Sequence, residues 1–216
     1  MSADSPCPQA VLTFATPPAW AARAVQWLDE LLLEQAHLEK KAAAAATAFL
    51  FRVPHDAELQ RRLSRLAREE LVHFEQTLDV LRGRGLAFGP QTPSPYAERL
   101  KRAIARDLPQ RLADELLVAA IIEARSHERM QLLAAACAGS APDVAAFYAE
   151  LVRAEARHEA VYVAAAERVL GVAPAAQRHA ELRAHEADVL LRLPFAARLH
   201  SGLPDGVVGG MDGGAG

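Results

Sequence analysis

The sequence predicts an all-α fold: a four-helix bundle with a long crossover between its two helix pairs and an extra C-terminal helix. Three observations predict it. Alanine, leucine, arginine and glutamate dominate the 216 residues, while valine, isoleucine and threonine are sparse, which favours helix over strand almost throughout. Proline and glycine fall at intervals that divide the chain into long blocks. Within each block apolar residues recur three or four apart, the period of a helix with one buried face.

The first helix is expected from Thr16, an N-cap ahead of Pro17 and Pro18, to Phe51, with Pro54 closing it. A second spans Asp56 to Arg82 and stops at Gly83 and Gly85. The connection Gly89–Pro95 is rich in proline and glycine, and a short helix Tyr96–Asp107 follows it. The third block runs from Pro109 to Cys137 and ends at Gly139; Ser140, Pro142 and Asp143 read as the cap of a fourth that reaches Leu170. After Pro174 a further helix to Leu193 is expected to pack on the outside. Residues 1–15 read as an extended segment, 16–202 as one domain, and 203–216 as a flexible tail.

Hydrophobic residues at 51% and charged ones at 24% are a globular balance and argue against a disordered chain. The longest weakly polar stretch, Ala42–Phe51, is half of the roughly 20 residues a membrane span needs, so no membrane association is expected. No basic segment followed by an apolar one opens the chain, and the two cysteines, Cys7 and Cys137, point to neither a zinc cluster nor a disulfide. A reducing cytoplasm is the expected setting. The formal net charge of −3 carries no global basic signature.

Polar residues inside the apolar stripes carry the chemistry. Glu39 interrupts the inward series of helix one, Leu28, Leu32, Gln35, Ala42, Ala46. Helix two presents Glu70 and His73 after Leu59, Leu63 and Leu66, and helix three presents Glu123 after Leu112, Leu116 and Ala119. Helix four presents Glu155 and His158 between Leu151 and Tyr162. Four glutamates and two histidines therefore face one another. Buried carboxylates at such density would repel so strongly that most would have to be protonated. Two divalent cations remove the problem, because four negative charges meet four positive ones and imidazole completes the coordination. One Glu from each of two helices and Glu-x-x-His from each of the other two is the ligand pattern of carboxylate di-iron bundles. Glu39 to Glu70 is 31 residues and Glu123 to Glu155 is 32, so the chain reads as two matched hairpins with three ligands each.

A third Glu-x-x-His pair, Glu34 with His37, lies on the stripe Glu30, Glu34, His37, Lys41, which is polar throughout and reads as a solvated face. Glu69 reads as solvent-facing, the other possibility being that it accepts a proton from a ligand histidine. His127, one turn after Glu123, is expected to partner a nearby acid. Tyr148, Tyr162, Thr77 and Ser126 are expected to pack near the site, one of them available to hydrogen-bond bound oxygen.

The order Glu, Glu-x-x-His, Glu, Glu-x-x-His resembles the ferritin-like di-iron superfamily. The local wording narrows it: Glu34-Gln-Ala-His-Leu-Glu39, Arg68-Glu-Glu-Leu-Val-His73, Ile122-Glu-Ala-Arg-Ser-His-Glu-Arg129, Glu155-Ala-Arg-His158 and Arg198-Leu-His-Ser-Gly202 resemble the MiaE family over about Trp20–Gly202. The resemblance implies an oxygen-dependent di-iron monooxygenase that hydroxylates the isopentenyl chain of 2-methylthio-N6-isopentenyladenosine beside the anticodon of tRNA. It implies two Fe ions held by Glu39, Glu70, His73, Glu123, Glu155 and His158, and O2 as co-substrate. It also implies an external electron donor of the ferredoxin or reductase type, an apolar channel for the prenyl chain, and contact with the tRNA anticodon stem-loop in a monomer or dimer. Two bound divalent cations would move the charge from −3 to about +1. Arg61, Arg62, Arg65, Arg68, Lys40, Lys41, Arg52, Lys101, Arg102 and Arg106 are the candidates for phosphate contact. The main alternative with the same ligands is a ferritin- or rubrerythrin-like ferroxidase or iron handler; the chain has no Cys-x-x-Cys ribbon, which disfavours rubrerythrin.

Overall fold

In a computed structural model, residues 12–53 and 55–207 are described. The long helices are α2 (Leu28–Leu50), α3 (Ala57–Gly83), α5 (Gln110–Cys137) and α6 (Pro142–Leu170). Shorter ones are α1 (Pro18–Ala24), α4 (Tyr96–Leu100) and the outer α7 (Val172–Leu191), with 3-10 turns at Val25–Trp27 and Lys101–Ala103. No strand occurs among the described residues. α2 pairs with α3 and α5 with α6, α3 touches α6 across the bundle, and α7 packs against α5 and α6. The crossover runs from residue 84 to 109 between the two hairpins. Among the described residues no helix is long and apolar enough to cross a membrane.

Local chemistry accounts for the helix ends. Asp56 caps α3 by accepting the Leu59 amide at 2.9 Å. At the other end Leu86 N–H reaches back to the Leu81 carbonyl at 2.9 Å, a return that Gly85 permits at φ 73°. Gly171, at φ 88°, separates α6 from α7.

Several expected boundaries differ. Helix one is broken at Val25–Trp27 because its two parts serve different partners: α1 packs on α5, whereas α2 pairs with α3. Pro17, not Thr16, caps α1; the Thr16 amide and hydroxyl both bind Glu128, at 2.7 and 2.6 Å. The crossover helix ends before Asp107, since the Asp114 carboxylate takes the Ala105 amide at 2.8 Å and Ile104 is already extended. α6 is capped by Ala141 without a side-chain bond, and Asp143 lies in its first turn, where an acid favours the helix dipole. α7 starts before Pro174, which its first turn tolerates. Pro54, residues 1–11 with Cys7, and 208–216 lie outside the described residues.

The core falls into two apolar clusters. One gathers Leu63, Leu66, Leu116, Ile121 and Tyr162; the other gathers Leu32, Met130, Leu133, Tyr148 and Leu151. On each long helix the stretch between the two clusters is where a buried carboxylate stands: Glu39, Glu70, Glu123 and Glu155. A polar layer therefore crosses the bundle between the two apolar clusters.

Candidate metal centre

Each long helix delivers one part of this layer. Glu70, Glu123, Glu155 and His158 offer atoms that all lie within 4.8 Å of one another, and so do Glu39, Glu70 and His73. Glu70 belongs to both groups. The carboxylates are 0–6% exposed and His158 is 2% exposed, while the His73 side chain retains 12%. His158 Nδ1 stands 2.7 Å from Glu70 Oε1, and His73 Nδ1 stands 3.5 Å from Glu70 Oε2 and 3.7 Å from Glu39 Oε2.

These groups do not satisfy one another. Both oxygens of Glu70, Oε2 of Glu155 and Nδ1 of both histidines are buried without a hydrogen-bond partner, a state that costs about 1–3 kcal/mol for each neutral group and more for a charged one. Burial, followed by the neighbouring carboxylates, pushes Glu70 and Glu155 well above the usual carboxylate range. Burial opposes a charge on His73, yet Glu39 and Glu70 outweigh it and raise its pKa to about 9. Carboxylate oxygens and imidazole nitrogens, orphaned and facing inward, are a donor set suited to two cations, with Glu70 placed to reach both.

Around the layer, second partners orient the donors. His158 Nε2 donates to Glu69 Oε2 at 2.9 Å, so the Nδ1 side of that ring is left as a lone pair. Glu69 is thus the histidine's acceptor and not merely solvent-facing; its neighbour Arg157 stands 3.4 Å away. Gln35 Nε2 donates to Glu39 Oε1 at 2.5 Å. His127 bonds the Val152 carbonyl at 3.0 Å instead of an acid. Thr77 donates to the His73 carbonyl, Tyr162 packs on Phe49, and Ser126 faces His200 at 3.2 Å.

The Glu34–His37 stripe is not a solvated face. Glu34 is 4% exposed and accepts the Leu199 amide at 2.5 Å, and burial lifts its pKa to about 7. His37 donates to the Gly89 carbonyl at 2.8 Å and lies against Phe88. The crossover and the loop after α7 fold over this stripe, a long-range event that a helix period does not encode. Periodicity also missed buried Glu159, Glu186, Arg125, Arg129 and His200. The phrase Arg198–Gly202 was the available signal for the last of these.

A cavity of about 390 Å³ reaches the layer from outside. Glu39, Glu70, Glu123 and Glu155 line its depth, Ala42, Ile122 and Met130 part of its wall, and exposed Lys41 and Lys101 its rim. Four other basic candidates are occupied: Arg52 pairs with Glu115, Arg62 with Glu58 and Arg102 with Glu98, and Lys40 lies over Phe88, whereas Arg61, Arg65, Arg68 and Arg106 stand exposed.

Residues 5–201 match the family described as tRNA-(MS[2]IO[6]A)-hydroxylase (MiaE). The tRNA 2-(methylsulfanyl)-N(6)-isopentenyladenosine(37) hydroxylase of Pseudomonas putida is 35% identical over 195 residues, 90% of this chain and 94% of that protein. The Salmonella typhimurium protein of the same name is 35% identical over 153 residues, which span 70% of this chain and 54% of the relative. Among solved structures, "Protein 43 with aldehyde deformylating oxygenase activity from Synechococcus" superposes with a TM-score of 0.83 at 36% identity, covering 91% of this chain and 99% of that one. Matched from residue 5 to 201, and along nearly the full length of the Pseudomonas relative, this ferritin-like four-helix chain belongs to the MiaE family.

Proposed function

We propose that this chain is a cytoplasmic monooxygenase that hydroxylates the isopentenyl side chain of 2-methylthio-N6-isopentenyladenosine next to the anticodon in tRNA, with two iron ions held by Glu39, Glu70, His73, Glu123, Glu155 and His158. The names of the Pseudomonas and Salmonella relatives support the substrate. The observation that carries the reading is the cavity, which joins the carboxylate layer to a rim bearing two lysines. Storage or oxidation of iron alone needs no 390 Å³ chamber with apolar walls.

When bound, the iron pair supplies the activation of O2, with two electrons from an external donor of the ferredoxin or reductase type and insertion of one oxygen atom into a C–H bond. The chain's own residues do the rest. The four carboxylates balance the metal charge within a layer where water has little access, and Glu69 holds His158 in the tautomer whose Nδ1 is free. The apolar wall takes the prenyl chain and keeps bulk water from the reacting carbon. Lys41 and Lys101 line the cavity and have no carboxylate within ion-pair distance among the described residues, which supports a role in phosphate contact.

A second reading, removal of the formyl group from an apolar aldehyde, is favoured by the Synechococcus structure's printed activity and by the same apolar wall. One experiment separates them: iron-loaded protein, O2 and a reductant are given either tRNA carrying the prenylated adenosine or a long-chain aldehyde. A gain of one oxygen atom on the tRNA nucleoside by mass spectrometry is the expected result. Formate release without nucleoside oxidation would favour the aldehyde, and oxidation of Fe(II) alone would favour iron handling.

A further inference from the structure

The bundle has two unlike sides. The cavity is walled by α2 and α5 beneath the crossover: Lys41 and Ala42 come from α2, Ile122 and Met130 from α5, Ser94 and Lys101 from the crossover. α3 and α6 reach it only through the inward residues Glu70, Glu155 and Tyr162. Both histidines of the donor set stand on α3 and α6, which touch each other across the bundle. The outward face of this helix pair therefore lies behind the metal layer as seen from the cavity.

That face is basic. Arg61, Arg65 and Arg68 recur at i, i+4 and i+7, which sets them in one row along α3. All three are exposed, and none has a carboxylate within ion-pair distance among the described residues. On the α6 side Arg153 and Arg157 are exposed too, and Arg157 stands 3.4 Å from Glu69. Five arginines share the patch with one acid, Glu69. Glu58, Glu75 and Glu150 border it, each about one turn beyond its last residues. Leu71 and Val72, 48% and 50% exposed, add an apolar edge.

Glu69 connects this face to the metal layer. Its side chain is 34% exposed, and its Oε2 stands 2.9 Å from His158 Nε2. The other nitrogen of that ring, Nδ1, stands 2.7 Å from Glu70 Oε1. One buried side chain, His158, thus separates the surface from the carboxylates.

We infer that the outer α3–α6 face is the docking surface of the electron donor, a small iron–sulfur protein of the ferredoxin class that presents an acidic face. The assignment rests on the hydroxylase reading above, whose balance fixes what must arrive. Substrate C–H, O2, two electrons and two protons give the alcohol and one water, so two reduced donors each lose one electron in turn and solvent supplies the protons. Opposite charge steers such an encounter, and a transient redox contact buries less than about 1,200 Å², which suits a patch of few residues. The modified adenosine enters from the cavity side, which directs the RNA away from this face. Two copies of the chain meeting here would oppose like charges.

The test uses the iron-loaded chain, an acidic plant-type ferredoxin and, as a small reductant that needs no docking, dithionite. Oxidised ferredoxin is expected to bind the wild-type chain with a Kd that rises about 10-fold between 50 and 200 mM salt. Arg65→Glu/Arg68→Glu, with metal content verified unchanged, is expected to bind it about 10- to 100-fold more weakly. Turnover of tRNA driven by reduced ferredoxin below saturation should fall by the same factor, whereas dithionite-driven turnover and its KM for tRNA keep their wild-type values. A dithionite-driven KM for tRNA that rises in the variant gives the face to RNA and overturns the assignment. Equal ferredoxin affinity in the two chains overturns it, and so does a wild-type dimer that the variant dissociates. Oxidation of tRNA with dithionite keeps the hydroxylase reading standing in each of these cases. A wild-type chain that oxidises no tRNA with either reductant overturns that reading, and the binding measurement still decides the docking face.

Discussion

Helix α5 carries buried charge toward two different sets of neighbours, and the two regions differ in one respect. Glu123 joins a layer in which both oxygens of Glu70, one of Glu155 and Nδ1 of both histidines are left without partners. Two residues on, Arg125 enters a network that closes on itself. Its guanidinium donates to both oxygens of Glu186 at 2.9 and 2.8 Å, to Glu128 at 2.5 Å, to the Thr16 hydroxyl at 3.0 Å and to the Phe14 carbonyl at 2.9 Å. The Tyr96 hydroxyl donates a further hydrogen bond to Glu186 at 2.8 Å. Arg125 and Glu186 are both 0% exposed, yet nothing in their pairing calls for an outside ion. Burial of charge therefore does not distinguish a site from a strut; orphaned donor atoms converging within 4.8 Å of one another do.

Breaking each region separately sharpens the contrast. Glu155→Ala, like Glu70→Ala, should strip metal and reduce turnover below detection, while costing the metal-free chain at most about 2 kcal/mol, since the shortened side chain also relieves like-charge crowding. Metal analysis beside urea unfolding measures both effects, and two irons per chain in either variant would count against the ligand set. Glu186→Gln should do the reverse: about 3 kcal/mol lost in urea unfolding, because Arg125 loses its buried counter-charge, with metal stoichiometry kept. Glu69→Gln should weaken metal binding about 10-fold through the loosened orientation of His158, as read by chelator competition.

The smallest effect concerns pH. Glu34 titrates at about 7 in the fold against an ordinary 4.5. The folded chain thus holds a proton that the unfolded chain has released between those values, so this group lowers stability as pH rises from about 4.5 to about 7 and adds no further slope above. Glu34→Gln should flatten that part of the stability–pH curve; an unchanged slope would place the proton elsewhere.

The six side chains picked out by helix period are brought together by the fold, because on an amphipathic helix a three-four spacing is enough to say which residues look inward. Helix boundaries governed by local rules, such as the Asp56 cap and the Gly85 return, were legible for the same reason. The break at Val25–Trp27 was not, since neither proline nor glycine marks it and the cause is a change of packing partner.

The sequence by itself determined the bundle, the six inward polar residues and the family, all of which rest on short-range spacing and local wording. Tertiary structure alone decided that Glu34 is buried, that Glu69 serves His158 and that Ser126 faces His200 in the cavity wall. Each of these depends on segments more than seventy residues apart meeting in space: Glu34 with Leu199, Glu69 with His158, Ser126 with His200. A helical period reports which way a side chain points along its own rod and carries no record of which distant loop will close over it.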